Sequence, residues 1–257
     1  YALILGILLS ANSLHSALIG QPLTVYGAQA DAKRLRQLAS GSLVMTIGVS
    51  ALLNLGVIFA LSVLRRPDLA IVVFGTSLLW QFQEVLRRSL LSQYRQGEAI
   101  WGDAISYLGQ AVLVWLLIQQ KWLSLDIVFI AMMLSSALAA FLQALQLKLR
   151  FSSLKMIVEY ARSFWEIGRW ILLTNILAVI LVQLFPWTLK LFHGPEATAS
   201  FQVIVNVLGV SNPILFSLGT LIIPAITQAD AQGNRADWSK IAQGYALPLG
   251  CILLLYY

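Results

Sequence analysis

Charge is what this sequence has least of. Asp, Glu, Lys and Arg make up 11% of its 257 residues, against about 25% in an ordinary soluble domain. Hydrophobic residues make up 59%, and the mean hydropathy is +0.79. That balance excludes the usual water-soluble class. Cysteine is nearly absent as well. The single Cys251 lies in an apolar run, so no internal disulfide and no thiol metal cluster can form. A glycine-rich phosphate loop, an HExxH motif and a convincing acidic pair in a loop are all missing. No catalytic residue, metal set or cofactor is therefore expected, and the chain is not read as an enzyme. The net charge of +6 does not point to nucleic acid, because the basic residues fall between hydrophobic segments rather than along one stripe. Lipid headgroups are the partners such a placement suits.

What is present is a succession of apolar runs, each near the roughly 20 residues that a bilayer core requires. Eight are expected to be spans, at residues 1–25, 38–64, 69–91, 99–118, 125–147, 167–189, 197–226 and 238–257. The third is the most polar, with Gln81, Gln83, Glu84, Arg87 and Arg88 in its second half. Lys and Arg then orient the chain, since short cytoplasmic loops are enriched in them. Alternate connections hold Lys33, Arg34 and Arg36; Arg87, Arg88 and Arg95; Lys148, Arg150, Lys155, Arg162 and Arg169; and Arg235 and Lys240. The opposite connections hold Arg65, Arg66, Lys121 and Lys190. Thirteen of the seventeen basic residues thus share one side. The expected location is a bacterial inner membrane, with loops 26–37, 92–98, 148–166 and 227–237 cytoplasmic. Between 151 and 166, Leu154, Ile157, Ala161 and Trp165 recur at helical spacing. That pattern predicts a linker helix lying in the cytoplasmic interface.

A repeat is visible in the letters. QADA occupies 29–32 and returns at 228–231, with Pro22 before the first copy and Pro224 before the second. Leu38, Ala39 and Gly41 correspond to Ile241, Ala242 and Gly244 downstream. The period is six spans, and an even period leaves both copies in the same orientation, as the charge count independently requires. The expected fold is an all-α integral membrane protein built from two parallel six-helix repeats, both incomplete. Residues 1–150 would form a first lobe lacking its first helix, and 167–257 the start of a second. Tyr1 enters an apolar helix without a basic leader, so the chain is read as a fragment of a protein with twelve or more spans.

The repeated proline, short charged loop and following helix, together with QFQEVLRRSLLSQYRQGEAIWGDAISYLGQ at 81–110, carry a family resemblance. The chain resembles the multidrug, oligosaccharidyl-lipid and polysaccharide exporter superfamily, in its polysaccharide-biosynthesis flippase branch, over about helices two to nine. The resemblance implies a V-shaped pair of lobes that alternate access to a central cavity. It implies a lipid-linked sugar as substrate, and polysaccharide assembly proteins as partners. A rival on the same fold is a cation-coupled multidrug exporter, and a third reading is a non-transporting membrane scaffold or a membrane enzyme.

Ionisable and amide side chains inside spans are the candidates for a polar path, because burying them in hydrocarbon is costly. In the first span Asn12, His15 and Ser16 share one side. Glu84 is spaced to pair with Arg87 or Arg88, and either arginine offers the fork of donors that suits pyrophosphate. Asp103 begins a face with Tyr107 and Gln110, and with Glu84 it is a candidate for an ion pair or a coupling ion. Asn175 and Gln183 lie on one face of the sixth span, and Gln202 and Asn206 on one face of the seventh. Pro186, Pro213 and Pro248 are expected to kink their spans.

Overall fold

A computed structural model describes residues 2–209, apart from 64, 123 and 151, and the isolated positions 222, 226, 227 and 244. Within that range the chain is helical, and no strand occurs among the described residues. It divides into two units, Tyr1–Leu172 and Leu173–Tyr257.

The first unit holds five helical stretches long and apolar enough to cross a membrane: Ile4–Ala28, Ala32–Val63, Pro67–Leu91, Gln96–Gln119 and Leu125–Leu147. They match the first five expected spans. Of the other three, 167–189 falls within a longer helix, while half of 197–226 and all of 238–257 but residue 244 lie outside the described residues. The second QADA copy, Pro213, Pro224, Pro248 and Cys251 also lie outside them.

The first stretch comprises α1 (Ala2–His15), a π-helical segment (Ser16–Gly20) and α2 (Gln21–Ala28). Pro22 explains the irregularity. Proline has no N–H to continue the helical ladder, and the chain widens so that the Gln21 N–H reaches the Ser16 carbonyl, five residues back. Next comes α3 (Ala32–Val63), which begins six residues before the apolar run at 38. Asp31 is the reason: its Oδ1 accepts the Arg34 N–H at 2.8 Å, a helix-capping bond. The end of α2 is closed differently. The Gln93 amide donates to the Gly27 carbonyl at 2.6 Å and the Ala30 carbonyl at 2.9 Å, supplying donors to carbonyls a helix end leaves bare.

After a short 3-10 turn (Pro67–Leu69), α4 (Ala70–Leu91) packs against α3 and, most extensively, against α7. The fourth stretch is α5 (Gln96–Asp103), a second π segment (Ala104–Gly109) and α6 (Gln110–Gln119), followed by α7 (Leu125–Leu147). Thr76 ties α4 to α7 by donating to the Phe129 carbonyl at 2.9 Å. The 29–31, 92–95 and 148–153 connections gather at one end, where Arg95 Nη2 donates to the Gln146 carbonyl at 3.0 Å. There too Ser152 donates to the Gln37 carbonyl at 2.6 Å. Lys33, Arg34, Arg36, Arg95, Lys148 and Arg150 belong to that end. Arg65, Arg66 and Lys121 belong to the other.

The outside of the bundle is as apolar as its core, and a seam of polar side chains runs inside it. On α3, Ser42, Thr46, Ser50 and Asn54 are fully buried, while Leu52, Leu55 and Phe59 are exposed, the last at 72%. A soluble protein buries large apolar residues and rarely leaves a contiguous apolar patch outside. An apolar exterior around a polar seam is stable in hydrocarbon. The chain is therefore a membrane-embedded protein.

The last described helix, α8, is assigned over Leu154–Leu208, with Gly194 in a non-helical conformation at φ 82°. The helix expected over 151–166 continues into the sixth apolar segment. Leu154, Ala161 and Trp165 are exposed and Ile157 is half-buried, whereas Phe164 and Gly168 are buried. Phe164 stacks on Tyr26 with ring centroids 5.7 Å apart, and Tyr26 donates to the Ser163 carbonyl at 3.3 Å. Gly168 lies against the π-segment backbone, where an added Cβ would stand 3.1 Å from the Ala17 carbonyl oxygen and 3.3 Å from the Leu18 Cα. A larger residue would have to push that backbone away by a few tenths of an ångström, and aromatic stacking one turn away fixes which side of α8 makes the approach.

Candidate functional site

Two apolar clusters fill the first unit, one including Ile4, Leu8, Val57, Leu61, Leu69 and Phe129, the other including Leu23, Leu35, Leu38, Leu86, Leu90 and Leu147. Between them lies a layer of polar side chains. It is drawn from the middle of each of the five stretches: His15, Thr46 and Ser50, Ser77 and Gln81, Ser106, and Ser135 and Ser136 are all buried.

The α3–α4 part of the layer is an uncharged network. Asn54 Nδ2 donates to the Ser50 carbonyl at 2.8 Å and to Ser77 Oγ at 3.3 Å. Gln81 Nε2 donates to the same Ser77 Oγ at 3.3 Å, and the Ser50 hydroxyl donates to Gln81 Oε1. Such bonds join helices where no water competes. On the α1 side, His15 Nε2 is 3.0 Å from Thr46 Oγ1. Thr46 spends its own hydrogen on the Ser42 carbonyl at 2.8 Å, so His15 Nε2–H is the donor. In the neutral ring Nδ1 is then a bare acceptor, and it has no partner in its buried position.

Next to this network is an ionic cluster on α4 and α5. Arg88 Nε donates to Glu84 Oε1 at 2.6 Å, and Arg87 Nη1 to Glu84 Oε2 at 3.2 Å. Arg87 Nε reaches across to Asp103, donating to Oδ2 at 3.0 Å. Two guanidinium groups and two carboxylates therefore cancel. Neutrality is what the surroundings demand, since an uncompensated charge in hydrocarbon costs several kcal/mol. Arg88 also lies against Gly20, where a Cβ would stand 3.0 Å from Arg88 Nε. That places the cluster beside the first π segment. Both π segments start directly after an ionisable residue of the layer, His15 in one case and Asp103 in the other, and π-helical turns are common at functional sites.

The cluster is not sealed. The Arg87 and Asp103 side chains retain 23% and 28% exposure, and Tyr107 beside them is exposed, as are the apolar Trp101, Leu108 and Val112 around it. A charged opening in an apolar wall fits contact with water or a polar partner rather than lipid. Farther along α7, Gln143 is fully buried with neither end of its amide bonded. It presses on Gly102 so closely that any side chain there would collide with it.

Of the residues singled out from sequence, Asn12, His15, Glu84, Arg87, Arg88 and Asp103 all fall in the first unit, five of them in or beside this one layer. Asn12 is half-buried one turn before His15, with Oδ1 unbonded. Asn175 is half-buried in the second unit, and the side chains of Gln183, Pro186, Gln202 and Asn206 lie outside the described ones. Sequence reasoning missed Ser42, Thr46, Ser50 and Asn54. Their signal was available: four polar residues at a strict spacing of four within the apolar run 38–64, a stripe on one helix face. It also missed the Arg87–Asp103 bond, which depends on how two helices are set against each other. Among the described residues no group of three or more His, Cys, Asp or Glu is placed to hold a metal ion. No family model, curated protein or solved structure matches this chain.

Proposed function

We propose that this chain is part of a membrane transporter of the multidrug, oligosaccharidyl-lipid and polysaccharide exporter superfamily. It would move lipid-linked saccharide precursors across a bacterial inner membrane by alternating access between two parallel six-helix lobes. The observation that carries this reading is the half-open Glu84–Arg87–Arg88–Asp103 cluster in an otherwise apolar wall. A saccharide diphosphate headgroup cannot enter hydrocarbon without replacements for its hydration, and paired guanidinium groups supply them. The buried hydroxyls and amides at mid-span depth extend the polar path, and transporter sites commonly lie at that depth. The basic helix ends, with the loops 26–37, 92–98, 148–166 and 227–237, would face the cytoplasm. The test is translocation of a fluorescent polyprenyl diphosphate saccharide in vesicles holding the full-length protein. Wild type should move the lipid, and Arg87→Gln with Arg88→Gln should abolish movement while inserting normally. Equal translocation by the double variant would reject the assignment.

The second reading, a cation-coupled exporter, draws on Glu84 and Asp103 lying within spans. Both carboxylates are paired with arginine, so a permeant cation would meet two guanidinium groups that repel it. The saccharide-lipid reading is therefore preferred. Drug efflux from cells that express the protein, with no defect in lipid-linked saccharides on its loss, would reverse that order.

A further inference from the structure

The charge balance of the cluster constrains how an anion could enter it, and the inference that follows rests on the diphosphate reading above. Arg87 and Arg88 contribute two positive charges, Glu84 and Asp103 two negative, and all four side chains are bonded within the group. The Nε of each arginine and the Arg87 Nη1 are spent on carboxylates. A diphosphate diester brings two more negative charges, and it gains the full fork of both arginines only by displacing Glu84 and Asp103. The displaced carboxylates remain on α4 and α5, inside the bundle. Left ionised, they would give the loaded site a net charge of minus two in surroundings that tolerate none.

We propose that Glu84 and Asp103 act as exchangeable counter-anions, each taking up a proton when a diphosphate lipid occupies Arg87 and Arg88, so that the loaded site stays neutral. The proton comes from water through the half-open edge at Arg87 and Asp103, and forms an O–H bond on the displaced carboxylate. The acid so made is a hydrogen-bond donor and can remain beside the phosphate it admitted. Release of the headgroup reverses the exchange, and the proton leaves as each carboxylate returns to its arginine.

A metal cation fits the same role poorly. Sodium or magnesium needs several oxygen ligands, and the two guanidinium groups repel it. Among the described residues, the charged and titratable groups facing the pair are few. They are Arg87 and Arg88 on the same helix, His15 on α1, and Tyr107 on the π segment after Asp103. From α3, the nearby part of the layer contributes only hydroxyls and an amide; from α7, serines and Gln143. Among these groups His15 is the competing proton acceptor, since its Nδ1 has no partner.

The test uses the purified full-length protein in lipid nanodiscs and, as probe, a water-soluble diester of pyrophosphate whose two charges are fixed near neutral pH. Calorimetric titration in buffers of different ionisation enthalpy gives the protons taken up per probe bound. The expected value is between one and two at neutral pH, with affinity falling about tenfold per pH unit for each proton. Glu84→Gln with Asp103→Asn should bind the probe without proton uptake and with little pH dependence. Binding without proton uptake by the wild type would overturn the proposal and leave the transporter reading standing, as would a requirement for sodium. Uptake that persists in the double variant would also overturn it, by assigning the proton to His15. No binding by the wild type would sink both readings. Should the double variant fail to fold, the wild-type proton count still decides.

Discussion

Replacing Arg87 by Gln removes one charge from a neutral group of four and leaves Asp103 without its cation. Asp103 has one arginine contact, from Arg87 Nε at 3.0 Å, whereas Glu84 keeps Arg88 at 2.6 Å. The loss therefore falls mainly on Asp103. Removing one member of a buried pair costs about 3–5 kcal/mol, most of it the burden of the stranded charge. Arg87 and Asp103 keep 23% and 28% of their side-chain exposure, so the lower end, about 3 kcal/mol, is expected. Arg87→Gln with Asp103→Asn restores neutrality and allows an amide–amide bond, at a cost of about 1 kcal/mol. The double variant should thus be about 2 kcal/mol more stable than the single. A double-mutant cycle from denaturant titration in bicelles measures this coupling. A double variant as unstable as Arg87→Gln, or a single variant within about 0.5 kcal/mol of wild type, would refute the reasoning from charge balance.

Three further outcomes follow from named contacts. Gly168→Ala should cost about 1–3 kcal/mol, because its Cβ meets backbone atoms of the π segment, while Gly48→Ala on α3, with open space around it, should be neutral or stabilising; thermal melts of the two variants decide. Gln81→Leu strands the Ser50 hydroxyl and should destabilise by about 1–2 kcal/mol, and adding Ser50→Ala should recover part of that loss in the same melts. Gln93→Ala bares the Ala30 carbonyl and leaves Gly27 with backbone donors alone, so amide exchange across residues 27–31 should quicken while exchange in α3 stays unchanged.

Much of the first unit was legible in the letters, because a membrane span announces itself by the length of an apolar run. The run at 125–147 coincides with α7 at both ends. Where the reading fell short, backbone chemistry rather than hydropathy set the boundary. Hydropathy stops at 38 because Lys33, Arg34 and Arg36 precede it, yet the helix starts at Ala32 because Asp31 caps it. The first π segment has a visible cause in Pro22. The second, Ala104–Gly109, contains no proline to mark it. Which side of α8 meets the bundle was not legible, because it depends on the fit of Gly168 on a neighbouring backbone. At the site, the α4 ion pairs were readable from i, i+3 and i, i+4 spacing. The Arg87–Asp103 bond, sixteen residues apart, was not, since no local rule relates the register of two antiparallel helices.

The claim on which the account depends most is that this chain crosses a bilayer repeatedly with its basic helix ends on one side. Single cysteines at Asp31, Arg95 and Arg150, and at Arg66 and Lys121, in a Cys251→Ser background, can be labelled with an impermeant maleimide in spheroplasts and in inverted vesicles. The account predicts that 31, 95 and 150 react only in inverted vesicles and 66 and 121 only in spheroplasts, with a cysteine at Asp230 behaving like 31. Reaction of 31 and 66 from the same side would contradict the membrane-spanning fold, and reaction of 31 and 230 from opposite sides would contradict the parallel repeat.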